Sequence, residues 1–348
     1  MAASVVTYSA VAAKLRAMYS QLLTAEDYEL LTTKPRVADV FLWLRENTAY
    51  GEILRGLNEA SVHRGEIERL FSRALFEDAG RISRMLSQNE KKMLAAVMSK
   101  TDIQIVKRII RSVHTGVAID IGTVKSFYKN KNFAISFPLE AALTAKSYGE
   151  LGEALKDSPL YDVLAPYLAE PVQNTFEMEN ALDRFYFLSL DKAAQRYLRG
   201  EDRIRTRNFL AAEVDMHNLL RSYRYKRYYS YPEEKVISHL FPNKYKLKNS
   251  FWIKVAESDV KDFRELAMET RYGEIFRSED DSAWYGEMSR QIAGMFKHHF
   301  RTDPYNFASV VAYIYLKETD IQNLITIIEG VRYSLEPSDI RKYLVLMK

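Results

Sequence analysis

Two markers recur three times, in the same order, along this chain. The first is a tyrosine: Tyr50, Tyr161 and Tyr272 stand 111 residues apart. Around them read LRENTAYGEIL, LKDSPLYDVLA and AMETRYGEIF, each with an acid and a Ser or Thr just ahead of the tyrosine and apolar residues behind it. The second marker is an aspartate that opens an apolar stripe. TDIQIVKRIIR starts at Thr101 and TDIQNLITIIE at Thr319, with a looser copy, DMHNLLRSY, from Asp215. Counting one, four, five and eight residues on from Asp102, Asp215 and Asp320 gives Ile103, Val106, Lys107 and Ile110; Met216, Leu219, Leu220 and Tyr223; and Ile321, Leu324, Ile325 and Ile328. At 3.6 residues per turn these offsets share one face of an α-helix, and Lys107 is the single polar break. Two independent markers in fixed order imply triplication of a unit of about 110 residues, far longer than the roughly 20 to 50 residues of solenoid repeats. Each copy is long enough to hold its own core.

The copies set the expected domains: 1–119, 120–240 and 241–348, with breaks near Gly116 to Gly122 and Ser230 to Pro242. Copies two and three share a tail, YSYPEEKVISHLF and YSLEPSDIRKYLV, in which Ser and Pro stop one helix and acids start another. In copy one the same place reads HTGVAIDIGTVKSFY, without the proline. The chain has only 13 Gly and 9 Pro in 348 residues, and helical spacing recurs throughout, as in Val11, Leu15, Met18, Leu22 and Leu23, or Ile67, Leu70, Phe71, Ala74 and Leu75. Thr24 with Asp27 reads as a capping box with Asp in the Glu position. Val117 to Ile121 and Lys131 to Phe137 have the length of short strands, but they stand alone without hairpin turns. The expected architecture is all-α.

The chemistry-bearing residue patterns are sparse. There is no cysteine, which excludes disulfides, thiolate metal sites and a cysteine nucleophile. His298 and His299 are adjacent, about 100° apart on a helix, and no carboxylate completes a metal site. EDDSAW, Glu279 to Trp284, has Trp284 where an aspartate-rich magnesium motif needs its last acid, so it reads as acids at the positive end of a helix. GELGEAL at Gly149 lacks the third glycine of a nucleotide loop. No catalytic, cofactor-binding or metal-binding residue is assigned, and no cofactor is expected. The 50 basic and 46 acidic residues nearly cancel, so no strong field toward nucleic acid or membrane follows. No apolar run reaches the ~20 residues of a membrane-spanning helix, and the N-terminus lacks signal-peptide order; the chain reads as cytoplasmic and peripheral.

The local oddity is RSYRYKRYYSYPEEK, Arg221 to Lys235. Cations interleaved with rings suit single-stranded nucleic acid, yet they also suit a helix C-terminus, where cations meet the negative pole and tyrosines bury rings with wet hydroxyls. We read Arg221, Arg224, Tyr225, Arg227 and Tyr228 as a candidate partner contact, and an RNA-binding helical adaptor as the alternative. Tyr50, Tyr161, Tyr272, Asp102, Asp215 and Asp320 are read as structural markers of the repeat.

RAMYSQLLTAEDYELL at Arg16 to Leu31, LRENTAYGEIL, and TDIQNLITIIEGVRYSLEPSDIRKYL together resemble the C subunit of bacterial and archaeal V-type (A-type) ATPases, which is similar to the eukaryotic V-ATPase d subunit. The resemblance spans essentially the whole chain. It implies a funnel of three similar helical domains about a pseudo-threefold axis, and carries no catalytic residues. It further implies a central-stalk socket between the D and F subunits of the shaft and the membrane rotor ring of proteolipid subunits, at the cytoplasmic face, a monomer when isolated, transmitting torque for ion transport or ATP synthesis. Two departures stand out: Ile105 replaces the Asn that follows Asp215 and Asp320 by three residues, and the Tyr/Arg cluster is unusually aromatic for its slot.

Overall fold

The computed structural model describes residues 2–55, 64–119, 121, 122, 124, 137–168, 174–242 and 246–345. Every regular element among them is helical. The α-helices are α1 (Ala2–Tyr19), α2 (Ala25–Thr32), α3 (Val37–Asn47), α4 (Arg64–Ser83), α5 (Gln88–Met98), α6 (Lys100–Thr115), α7 (Leu139–Thr144), α8 (Tyr148–Leu155), α9 (Pro159–Leu168), α10 (Thr175–Tyr197), α11 (Gly200–Tyr229), α12 (Glu233–His239), α13 (Asn249–Glu257), α14 (Val260–Met268), α15 (Trp284–Thr302), α16 (Ala308–Arg332) and α17 (Pro337–Lys342). The all-α expectation holds. Val117 to Ile119 form no strand, and residues 131–136 of the second candidate strand lie outside the described residues.

The start signals act as the sequence proposes. At α2 the Thr24 N–H donates to Asp27 Oδ2 at 2.8 Å, and the Asp27 N–H donates to Thr24 Oγ1 at 3.2 Å, which closes the capping box. The ends are equally well defined. Helices α6, α11 and α16 run on from the three aspartates and stop at residues with left-handed backbone: Gly116 (φ 71°), Ser230 (φ 50°) and Ser334 (φ 53°). After Ser230 and Ser334 the chain closes back on the helix: the Leu335 N–H donates to the Gly330 carbonyl, the six-to-one bond of a Schellman end, and the Tyr231 N–H reaches one residue further back, to the Tyr225 carbonyl.

Packing divides the chain into two compact units, one of residues 1–87 and 274–348, the other of residues 88–273. The first is built from two separate stretches of chain around α16, which α1, α2, α3, α4, α15 and α17 all touch. Nearly every side of α16 is buried, as expected of a helix that is apolar all round. In the second unit α10 packs against α5, α6, α9 and α11. There Ile103, Val106, Ile109 and Ile110 of α6 share a core with Leu151, Leu155, Leu160, Leu164, Met178 and Leu182.

Candidate functional site

Asp320 sits fully buried at the middle of α16. Its carboxylate accepts the Tyr50 phenol at 2.6 Å on Oδ2, and the Tyr28 phenol and the Leu23 N–H on Oδ1. Tyr50 is aimed there by its own turn: Thr48 Oγ1 donates to the Leu44 carbonyl at the end of α3 and accepts the Tyr50 N–H at 3.2 Å. Gly51 follows because a Cβ there would lie 2.4 Å from the Arg45 carbonyl oxygen. One turn before Asp320, Lys317 is also buried; its ammonium lies 4.0 Å over the Tyr50 ring and 3.9 Å from Asp78 Oδ2 of α4. Asp78 in turn accepts Tyr313 at 2.6 Å and Arg81 at 3.2 Å.

These groups perturb one another. Burial raises the Asp320 carboxyl above its ordinary range, against the pull of Lys317 and the two phenols. Burial lowers Lys317, against Asp320 and Asp78. The phenols of Tyr28 and Tyr50 are pushed far up, first by burial and then by the carboxylate beside them. With its lone pairs committed to two phenols and an amide, Asp320 is an anchor between chain segments rather than an acid presented to a substrate.

The other markers fall in related surroundings. Asp215 of α11 is fully buried and accepts the Tyr272 phenol at 3.2 Å and the Lys246 N–H at 2.9 Å. Thr270 repeats the Thr48 turn, donating to the Ala267 carbonyl and accepting the Tyr272 N–H, and a Cβ on Gly273 would meet the Met268 carbonyl oxygen at 2.3 Å. Asp102 is buried on α6, and Tyr161 packs against the core to which α6 contributes. The aspartate of copy two therefore meets the tyrosine of copy three, and the aspartate of copy three meets the tyrosine of copy one.

Further residues complete these contacts. Asn218 and Asn323, three residues after their aspartates, each clamp a later segment with two hydrogen bonds. Asn218 exchanges both with the Phe241 backbone, at 2.9 and 2.7 Å, and Asn323 does so with Val345, at 3.2 and 2.9 Å. The shared Asp-x-x-Asn was the available signal. In copy one Ile105 takes that place and is buried in the apolar core. Tyr28, Lys317, Tyr313 and Asp78 gave no such signal. The residues that stand where a repeated Lys317 would, Ser99 and Ala212, are not cations, and Leu139 and Ser250 stand where Tyr28 would recur.

The Tyr/Arg cluster at the end of α11 splits in two. Tyr225, 1% exposed, donates to Asn180 at 2.9 Å and accepts Arg221, whose guanidinium also reaches Asp183 and lies 4.2 Å over the Phe241 ring. Asp183 is the partner of Lys107 as well, which accounts for the one polar break in the α6 stripe. Lys226 donates to the last carbonyls of α13, on Val255 and Ala256. Tyr231 and His239 both bond Glu177, with Lys235 beside them. Burial works to raise the Glu177 carboxyl, and those hydrogen bonds outweigh it, so its pKa lies below the ordinary value. Arg224, Arg227 and Tyr228 instead face solvent. Elsewhere, Asp280 of EDDSAW accepts the Ser282 N–H at the helix start, and His299 is hydrogen-bonded to Asn306.

The fold and these contacts define an all-helical protein in which buried aspartates bind distant stretches of the chain together. The ATP synthase (C/AC39) subunit family model matches residues 11–343, and the chain belongs to that family. It is similar to the C subunit of the A-type ATP synthase of Methanosarcina acetivorans, 24% identical over 98% of this chain and 93% of that one. The corresponding protein of Archaeoglobus fulgidus is 21% identical over 97% of this chain and 96% of its own length. No helix among the described residues is long and apolar enough to cross a membrane.

Proposed function

We propose that this chain is the non-catalytic central-stalk connector of a rotary ATPase. In this reading it is a socket that holds the D and F subunits of the shaft at one end, rests on the proteolipid rotor ring at the other, and passes torque between them at the cytoplasmic face. The observation that carries the reading is the end-to-end family match, together with relatives named as the C subunit of A-type ATP synthases that align over nearly their whole length. The three sequence copies would form three similar domains of a funnel, 1–119, 120–240 and 241–348. Stiffness is what the role requires, and close-packed cores with buried acid–phenol anchors transmit strain rather than absorb it. The isolated protein should be a monomer that neither binds nor hydrolyses ATP.

A pull-down from solubilised membranes, with quantitation of shaft, ring and catalytic-head proteins, tests this. Enrichment of shaft and ring proteins is expected. Deleting the chain should leave ATP hydrolysis by the head intact while ion pumping is lost. Recovery of no rotary ATPase subunit would sink the reading.

A further inference from the structure

The inner half of the Tyr/Arg cluster is consumed by the fold, whereas Arg224 and Arg227 of its outer half are left without an ion-pair partner among the described residues. Arg224, Arg227 and Tyr228 stand at i, i+3 and i+4 on α11, which puts them on one face; all three are exposed, Tyr228 by 62%. Along the same helix Arg205, Arg207 and Arg221 are matched to Glu201, Asp191 and Asp183. Arg224 and Arg227 have no such partner among the described residues. Of the acids near the cluster, Asp259 caps α14 through the Lys261 and Asp262 N–H groups, Glu177 holds Tyr231, His239 and Lys235, and Glu233, in the first turn of α12, acts on Lys226.

The rings beside this face are engaged in stacking within the fold. Tyr229 stacks on Phe176 with centroids 4.1 Å apart, Tyr225 stacks on Tyr231, and Lys235 lies 3.8 Å over Tyr231. Single-stranded nucleic acid needs a row of open ring faces on which successive bases stack, and Tyr228 is the one ring of the cluster that is more than half exposed. Two unmatched guanidiniums one turn apart, with one phenol beside them, suit carboxylates presented at helical spacing.

We propose that Arg224, Arg227 and Tyr228 form a docking face for an acidic protein segment of the rotary complex. This rests on the connector reading above and names the chemistry of one of its contacts. The segment supplies at least two carboxylates, and the contact is steered by charge and weakened by salt.

The test uses the complex solubilised from membranes of cells lacking this chain, titrated with purified full-length protein from about 50 to about 300 mM salt. Wild type is expected to bind, more weakly as salt rises. Arg224→Glu with Arg227→Glu should bind at least ~10-fold more weakly at low salt, with a shallower salt dependence, while the double Lys variant keeps most of the affinity. Circular dichroism should show unchanged helicity, since both residues are exposed. Wild-type affinity and salt dependence in the Glu variant overturn the docking face and leave the connector reading standing. Failure of wild type itself to bind overturns both. A single-stranded oligouridine is the second probe: if wild type retains it and the Glu variant does not, while binding to the complex is unchanged, the face belongs to nucleic acid and the proposal falls.

Discussion

Ser230 and Ser334 carry left-handed backbone at places where copy one has Gly116. A Cβ in that region costs roughly 1–2 kcal/mol, partly offset because glycine loses more chain entropy on folding. Ser230→Gly and Ser334→Gly should each therefore stabilise the protein by about 0.5–1 kcal/mol, read as a higher denaturant midpoint, and Gly116→Ala should destabilise it. Asp320 and Lys317 make a second residue-scale case, in pH dependence. An acid whose folded pKa is raised contributes stability that is complete below its unfolded pKa and is lost as pH rises through the folded value; Asp320 is such an acid. Lys317, depressed by burial, contributes stability present above its unfolded pKa and lost as pH falls through the folded one. Lys317→Met removes the cation that draws Asp320 down, so Asp320 rises further. The decline in stability as pH rises above the ordinary carboxylate range should steepen relative to wild type, and Asp320→Asn should flatten it. Equal slopes in all three proteins would show that Asp320 does not titrate with folding.

At the scale of elements, the repeated helices are stripes that the sequence displays openly, and their partners are what it conceals. Periodicity in Ile321, Leu324, Ile325 and Ile328 announces α16, and Thr24 with Asp27 announces the start of α2, because both signals are local. The bond from Tyr28 or Tyr50 to Asp320 joins residues nearly the whole chain apart, and no local rule selects one buried tyrosine over another. The copies hide a further point. They read as consecutive blocks, yet the bonds at Asp215 and Asp320 each join one copy to the tyrosine of another. The asparagine clamps lie between these extremes: visible as a shared letter, yet meaningful only once Phe241 and Val345 are in place. Removing the clamp leaves buried backbone groups of Phe241 without partners, so Asn218→Ala should cost about 2–3 kcal/mol, and Asn323→Ala somewhat less because Val345 is only partly buried. The residue that stabilises two copies should harm the third: Ile105→Asn puts an amide into the apolar core of α6 and should destabilise by about 2 kcal/mol or more. Urea midpoints of the three variants check this, and a neutral Ile105→Asn would mean that copy one also has a segment to clamp.

At the scale of the whole molecule, the unit that contains α16 is assembled from residues 1–87 and 274–348, while residues 88–273 form a unit from one continuous stretch. Bringing the two outer stretches together closes a loop of nearly 190 residues, and loop-closure entropy grows as about (3/2)RT ln n. That cost falls on folding rate more than on final stability, since non-local contacts reward the chain only after closure. A circular permutant that begins at Gln88, runs to the C-terminus and continues through a flexible linker into residues 1–87 makes both units continuous. It keeps every bond to Asp320, Asp78 and Asp215, and its new ends fall at Ser87 and Gln88, between α4 and α5. Its stability should match wild type within about 1 kcal/mol, while the phase that buries Tyr50 and Tyr28 against Asp320 should be faster. Stopped-flow refolding followed by tyrosine and tryptophan fluorescence, with Trp284 as a probe native to that unit, separates the outcomes. Unchanged rates in the permutant would mean that residues 1–87 and 274–348 find each other before residues 88–273 fold, and that closure of the chain on itself is an early event rather than the late one its topology implies.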